Sequence, residues 1–178
     1  MEKGKFEQKW VIMTAKEFME VCKSPYLSFP EHVTVVGDLD FYQKEIAKMP
    51  HTLIVCGNCN FCKASFLMMP KILIAKGYID FNKAKIQELP VSIRTGTYLD
   101  VRETKIRKLP DNLFVGGDLY ISHADIIEVP ASTKVNGSID HNQTLDDHFL
   151  ENLIVKENLD LSHTKIEPIS IKNLPELS

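Results

Sequence analysis

The chain has 178 residues, 44% of them apolar and 25% charged, with a net charge of −3 at neutral pH. That length suits one domain, and the small negative charge gives no global attraction to nucleic acid or to an anionic membrane. No apolar run approaches the roughly 18 residues that span a bilayer.

Trp10–Val11–Ile12–Met13 is too short for the apolar core of a secretory signal. Of the four cysteines, Cys56, Cys59 and Cys62 crowd together, which is not the spread of a disulfide framework. A soluble, cytoplasmic protein folded in a reducing compartment is expected, without cofactor and with neither nucleic acid nor membrane as partner.

Thr14-Ala15-Lys16-Glu17 has the pattern of a capping box and predicts a helix over about Thr14–Lys23. Phe18, Met19, Val21 and Cys22 supply its apolar face, and Pro25 ends it. Residues 1–25 therefore read as an N-terminal cap.

Beyond the cap the chain repeats. Pro30, Pro50, Pro70, Pro90, Pro110 and Pro130 recur every 20 residues without a slip, and a fixed period of this length marks a repeat architecture. In blocks counted from Glu31, the third place holds Val33, Leu53, Leu73, Ile93 and Leu113. The ninth holds Leu39, Cys59, Ile79, Leu99, Leu119 and Ile139, and the eleventh Phe41, Phe61, Phe81, Val101 and Ile121. Apolar residues alternate within two short runs of each block, as in Leu113-x-Val115 and Leu119-x-Ile121, and period two is strand geometry.

Between the runs stand Gly37, Gly57, Gly77, Gly117 and Gly137, suited to a bend with positive φ or to close packing of coils. The expected fold is a β-rich solenoid over residues 26–170, with two short parallel strands per 20-residue coil, an N-terminal capping helix and a tail at 171–178. Seven blocks stacked about 4.8 Å apart would make a rod roughly 34 Å long.

Leu99-x-Val101-x-x-Thr104-x-Ile106-x-x-Leu109-Pro110 and Leu159-x-Leu161-x-x-Thr164-x-Ile166 resemble the short leucine-rich repeats of bacterial and phage proteins. Two features depart from that family. The place of its turn asparagine holds Lys44, Ala64, Ala84, Thr104, Ala124, Thr144 and Thr164. The leucine expected before the strand pair is replaced by Lys76, Gly116 and Asn136. The resemblance implies a leucine-rich-repeat-like solenoid and a role in binding other proteins, and it implies no activity.

Two clusters carry an enzymatic alternative. Cys56-x-x-Cys59-x-x-Cys62 has a metal-ligand spacing, but the register turns Cys59 inward and Cys62 outward, so no metal is expected. In block six Thr133, His141 and Asp146 occupy interior columns and Leu150 replaces the proline; with Asp147 and His148 they suggest a small metal-dependent or hydrolytic centre at His141–His148. The competing reading is a degenerate coil in which Leu145 takes the inward role.

The outward places of the second run are more informative. The tenth place holds Asp40, Asn60, Asp80, Asp100, Tyr120, Asp140 and Asp160, flanked by Asp38, Tyr78, Tyr98 and Asp118 and by Tyr42, Asn82, Arg102 and Asn142. Asp40, Tyr42, Tyr78, Asp80, Tyr98, Asp100, Arg102 and Tyr120 are taken as a recognition face for a protein partner with a basic surface. The alternative is that the aspartates keep the sheet soluble or bond to turn amides. A second outward line, Ile54, Ile74, Phe114 and Ile154, would be covered by the N-terminal segment or would allow a homodimer. The expected function is non-catalytic: a scaffold acting as an adaptor or inhibitor.

Overall fold

Residues that alternate in and out every 20 positions can bury their inward side chains only by stacking coil on coil. The computed structural model has this arrangement, and it describes residues 10–23 and 30–141 together with the strands Ile154–Val155 and Leu159–Asp160. The chain winds a β-solenoid of about six coils.

The first side is an eight-stranded parallel sheet: Trp10–Thr14 (β1), His32–Val36 (β2), Thr52–Val55, Ile72–Ala75, Ser92–Thr95, Asn112–Val115, Lys134–Val135 and Ile154–Val155. After β1 every strand pairs with the residue 20 places on, as in Val33↔Leu53, Leu53↔Leu73 and Ile93↔Leu113. The second side is a seven-stranded sheet of two-residue strands running from Leu39–Asp40 to Leu159–Asp160. A third side, not expected from the period-two pattern, is closed by Glu45–Ile46 against Ser65–Phe66 and by single bridges at Ser65↔Lys85 and Lys108↔Glu128.

The repeat columns are the core. Val33, Leu53, Leu73, Ile93, Leu99, Ile106 and Leu119 are fully buried. Phe41, Phe61 and Phe81 stack along the axis with centroids 5.8 and 5.2 Å apart, and Phe66 meets Phe61 edge-on at 5.3 Å. Burying each such ring contributes roughly 2–3 kcal/mol as an upper bound.

Helix α1 (Ala15–Lys23) lies where the capping box puts it. The Thr14 amide donates to Glu17 Oε2 at 2.8 Å, and the Glu17 amide donates to Thr14 Oγ1 at 3.3 Å. Phe18 is fully buried and sets its ring edge-on against Phe41, 6.4 Å away, which closes the apolar end of the first coil.

Strand β1 was hidden from the repeat because α1 is inserted after it. Val11 pairs with Val33, 22 residues on, so β1 is out of period with the later coils. It extends the first sheet at its edge and does not lie over the outward Ile54–Ile74–Phe114 line, leaving Ile12 73% and Trp10 51% exposed. The first nine residues and Ile154's side chain lie outside the described residues.

The glycines resolve into two roles. Among the glycines of the described residues only Gly37 has a positive φ, at +105°. At Gly96 a Cβ would stand 1.8 Å from the Lys76 carbonyl oxygen, so the coils' close approach selects glycine there. Positive φ instead recurs at the thirteenth place, in Gln43, Lys63, Lys83, Glu103 and His123, at 55–60°. Four of these residues sit in β-turns closed by an amide–carbonyl bond, such as Ala64 N–H to the Phe61 carbonyl at 2.9 Å, and at Glu103 the Thr104 hydroxyl donates to the Val101 carbonyl at 2.7 Å.

Candidate binding face

The outer face of the second sheet is organised by those turns. At Asp40, Asn60, Asp80 and Asp100 the tenth-place side chain reaches forward two residues and accepts the backbone amide that opens the turn. Asp40 accepts from Tyr42 at 3.0 Å, Asn60 from Cys62 at 3.1 Å, Asp80 from Asn82 at 2.7 Å and Asp100 from Arg102 at 2.9 Å. This is the Asx-turn, and it supports the left-handed residue that follows. The eighth place works between coils: Asp38 accepts from the Asn58 amide at 2.7 Å, Asn58 from Tyr78 at 3.1 Å and Asp118 from Ser138 at 2.8 Å. The aspartate ladder is therefore part of the scaffold's own hydrogen bonding.

All eight sequence-selected residues lie on this face, in two groups. Asp40 and Tyr42 are exposed at its N-terminal end, where Lys63 donates to the Tyr42 hydroxyl at 3.2 Å and Asn60 donates to Asp40 at 3.0 Å. Tyr78, Asp80, Tyr98, Asp100, Arg102 and Tyr120 form the central group. Tyr78 and Tyr98 stack nearly parallel, 4.7 Å apart at 6°, and Tyr120 meets Tyr98 edge-on at 5.7 Å. All three rings are half-buried. Burial, then the neighbouring phenol of Tyr78 and the charges of Asp80 and Asp100, push the Tyr98 hydroxyl up to about 12, so it stays a neutral donor.

Asp100 differs from its column-mates. It is 3% exposed, and Arg102 grips it with Nε 3.0 Å from both carboxylate oxygens and Nη2 2.5 Å from Oδ2. The same guanidinium lies 5.1 Å from the centre of the Tyr120 ring. Asp80 is half-buried, and among the described residues no ion pair holds it. Burial first, and the Asp100 charge after it, raise its carboxyl above the ordinary range, against the lowering effects of the Asn82 amide and the Arg102 charge.

Residues that the sequence reading left out extend the network. Tyr120 donates its hydroxyl to Asp118 at 3.2 Å and Ser122 donates to Asp140 at 2.5 Å. Ser122 and Lys63 carried no signal of their own; their column positions beside Arg102 and Tyr42 were the available clue.

The cysteines do not converge. Cys59 is fully buried in the core, where burial raises its thiol far above the ordinary value, whereas Cys62 is half-buried on the outer face with its sulfur 3.9 Å from Asn82 Oδ1. Among the described residues no three His, Cys, Asp or Glu side chains gather as metal ligands. Thr133 and His141 are buried in their interior columns; Leu145, Asp146, Asp147, His148 and Leu150 lie outside the described residues.

On the third side a groove of about 680 Å³ runs between Gln87–Val91 and Lys105–Asp111. Its lysines already face acids: Lys105 is 3.4 Å from Asp125, and Lys108 is 2.7 Å from Glu128 and 3.6 Å from Asp111. Among the described residues no helix is long and apolar enough to cross a membrane. Comparison with known proteins finds no matching family model, no matching curated protein and no matching solved structure.

Proposed function

We propose that this protein is a non-catalytic interaction scaffold that presents the outer face of its second sheet to a protein partner with a basic surface. The observation that carries the reading is the Tyr78–Tyr98–Tyr120 cluster, three half-buried rings packed on one another in the middle of a rigid sheet. Tyrosines already ordered by stacking lose little side-chain entropy on binding and bring large apolar area with a polar tip. The surrounding carboxylates Asp38, Asp40, Asp80, Asp118 and Asp140 outnumber Arg102 and Lys63, so the field selects a cationic partner.

In this reading the coils are leucine-rich-repeat-like modules of bacterial or phage type that act in the cytoplasm as an adaptor or inhibitor. The half-buried Ile54–Ile74 line of the first sheet is the surface through which a second copy would dimerise.

The test begins with affinity capture from the native cell, followed by binding measurements on the purified partner. Tyr98→Ala should weaken binding by roughly 1–3 kcal/mol, the range of a central aromatic anchor. Asp40→Asn, at the exposed rim, should instead slow association at low salt with little change in dissociation. A captured partner that binds both variants as it binds the parent would remove this face from consideration.

A further inference from the structure

In four successive coils the tenth-place side chain accepts the amide two residues on. Asn60 does so with a neutral amide oxygen at 3.1 Å. The turn at Asp80 therefore needs an oxygen and not a charge. The charge is unfavourable where it stands: Asp80 is half-buried and paired in register with Asp100 in the next coil. Arg102, whose charge also acts on Asp80, is hydrogen-bonded to Asp100 through its Nε and Nη2. A carboxylate that costs stability without structural need is the usual mark of a group kept for binding.

The fold itself shows how a cation is held on this face. One coil on, the Arg102 guanidinium is forked by a tenth-place carboxylate, Asp100, and laid over the ring of Tyr120. In the coil of Asp80 the place of Arg102 is taken by the uncharged Asn82, and among the described residues no cation forms an ion pair with Asp80. The place equivalent to Tyr120 is held by Asp100, and the aromatic surface beside Asp80 comes instead from the eighth place. Tyr78 stands two residues before Asp80 on the same face, Tyr98 is stacked on it, and the Asp80 charge bears on both phenols.

We propose that Asp80, with the paired rings of Tyr78 and Tyr98, receives an arginine side chain from the protein partner. This assignment rests on the reading of the second sheet as the binding face and names what that face recognises. Guanidinium fits better than ammonium: it is flat, weakly hydrated and presents two parallel N–H groups to a half-buried carboxylate while stacking on a ring.

The probe is a hexapeptide of alternating arginine and glycine, titrated into the full chain labelled with carbon-13 at Asp and Tyr. Saturable shifts of the Asp80 carboxyl and of the Tyr78 and Tyr98 ring signals are expected. The same peptide with citrulline should give none, and with lysine a roughly tenfold weaker response. Asp80→Asn keeps the turn's acceptor and should lose the peptide by roughly tenfold or more, as should Asn82→Arg, which supplies the missing cation from within the chain. Near-ultraviolet circular dichroism confirms that both variants keep the tyrosine stack.

Peptide binding unchanged in both folded variants, or saturable shifts confined to Asp38 and Asp40, would overturn the assignment. With the native partner the two readings separate: loss of binding in Tyr98→Ala but not in Asp80→Asn retains the face and overturns the arginine site, whereas no loss in either overturns both.

Discussion

Gly96 and His123 show how differently two turn positions constrain the side chain. The Cβ of an alanine at Gly96 would meet the Lys76 carbonyl oxygen at 1.8 Å, and backbone on both coils would have to move. Gly96→Ala should therefore cost about 2–3 kcal/mol, as overpacking does. His123 is exposed and held at φ +60°, a conformation that costs a non-glycine residue about 1 kcal/mol or more. His123→Gly should raise stability by about 0.5–1 kcal/mol after the entropy of the freer unfolded chain is subtracted. Denaturant midpoints of the two variants moving in the same direction would contradict this pairing.

Asp80 gives a pH signature at the same scale. Its carboxyl is raised in the folded state, so the native protein binds this proton more tightly than the unfolded chain does. The favourable contribution is present below the unfolded pKa and is lost as pH rises through the folded value. Asp80→Asn should thus melt higher than the parent at pH 7 and level with it near pH 3. A difference in Tm that does not change with pH would show that the charge carries no such penalty.

Among the described elements, α1 closes the N-terminal end of the repeat. Two-residue strands cannot hold together alone, and the first coil would expose Phe41 and its neighbours without Phe18 and Cys22 over them. Burial pushes the Cys22 thiol up to about 12, so it behaves there as a small apolar group. Phe18→Ala should cost about 3–5 kcal/mol and open the end of the solenoid, with concentration-dependent association visible by light scattering. An unchanged, monomeric Phe18→Ala protein would mean that α1 does not cap the core.

At the scale of the whole molecule, each coil contacts mainly its neighbours, so stability is close to a sum over coils and interfaces. This rigidity is what keeps the tyrosines of successive coils in register. Sheet hydrogen bonds such as Ile79 N–H to the Tyr98 carbonyl at 3.0 Å set the spacing, and the ring stack follows it.

The 20-residue period and the alternation within it determined the coil, the buried columns and the membership of the outer face, because inward and outward are decided locally by strand geometry. The capping box likewise determined α1 through contacts within four residues. Only the tertiary structure decided the rest. β1 pairs across an inserted helix and the third side closes through one short strand pair and single bridges, neither of which leaves a periodic trace within one block. The glycines do recur, but only stacking decides that Gly37 serves a positive φ and Gly96 a close approach. The aspartate column was legible as a ladder, but its division was not: Asp40 caps a turn in solvent, Asp100 is buried under Arg102, and Asp80 is left half-buried without an ion pair among the described residues. That division depends on which side chain stands two places on and one coil over, and stacking alone brings those groups together.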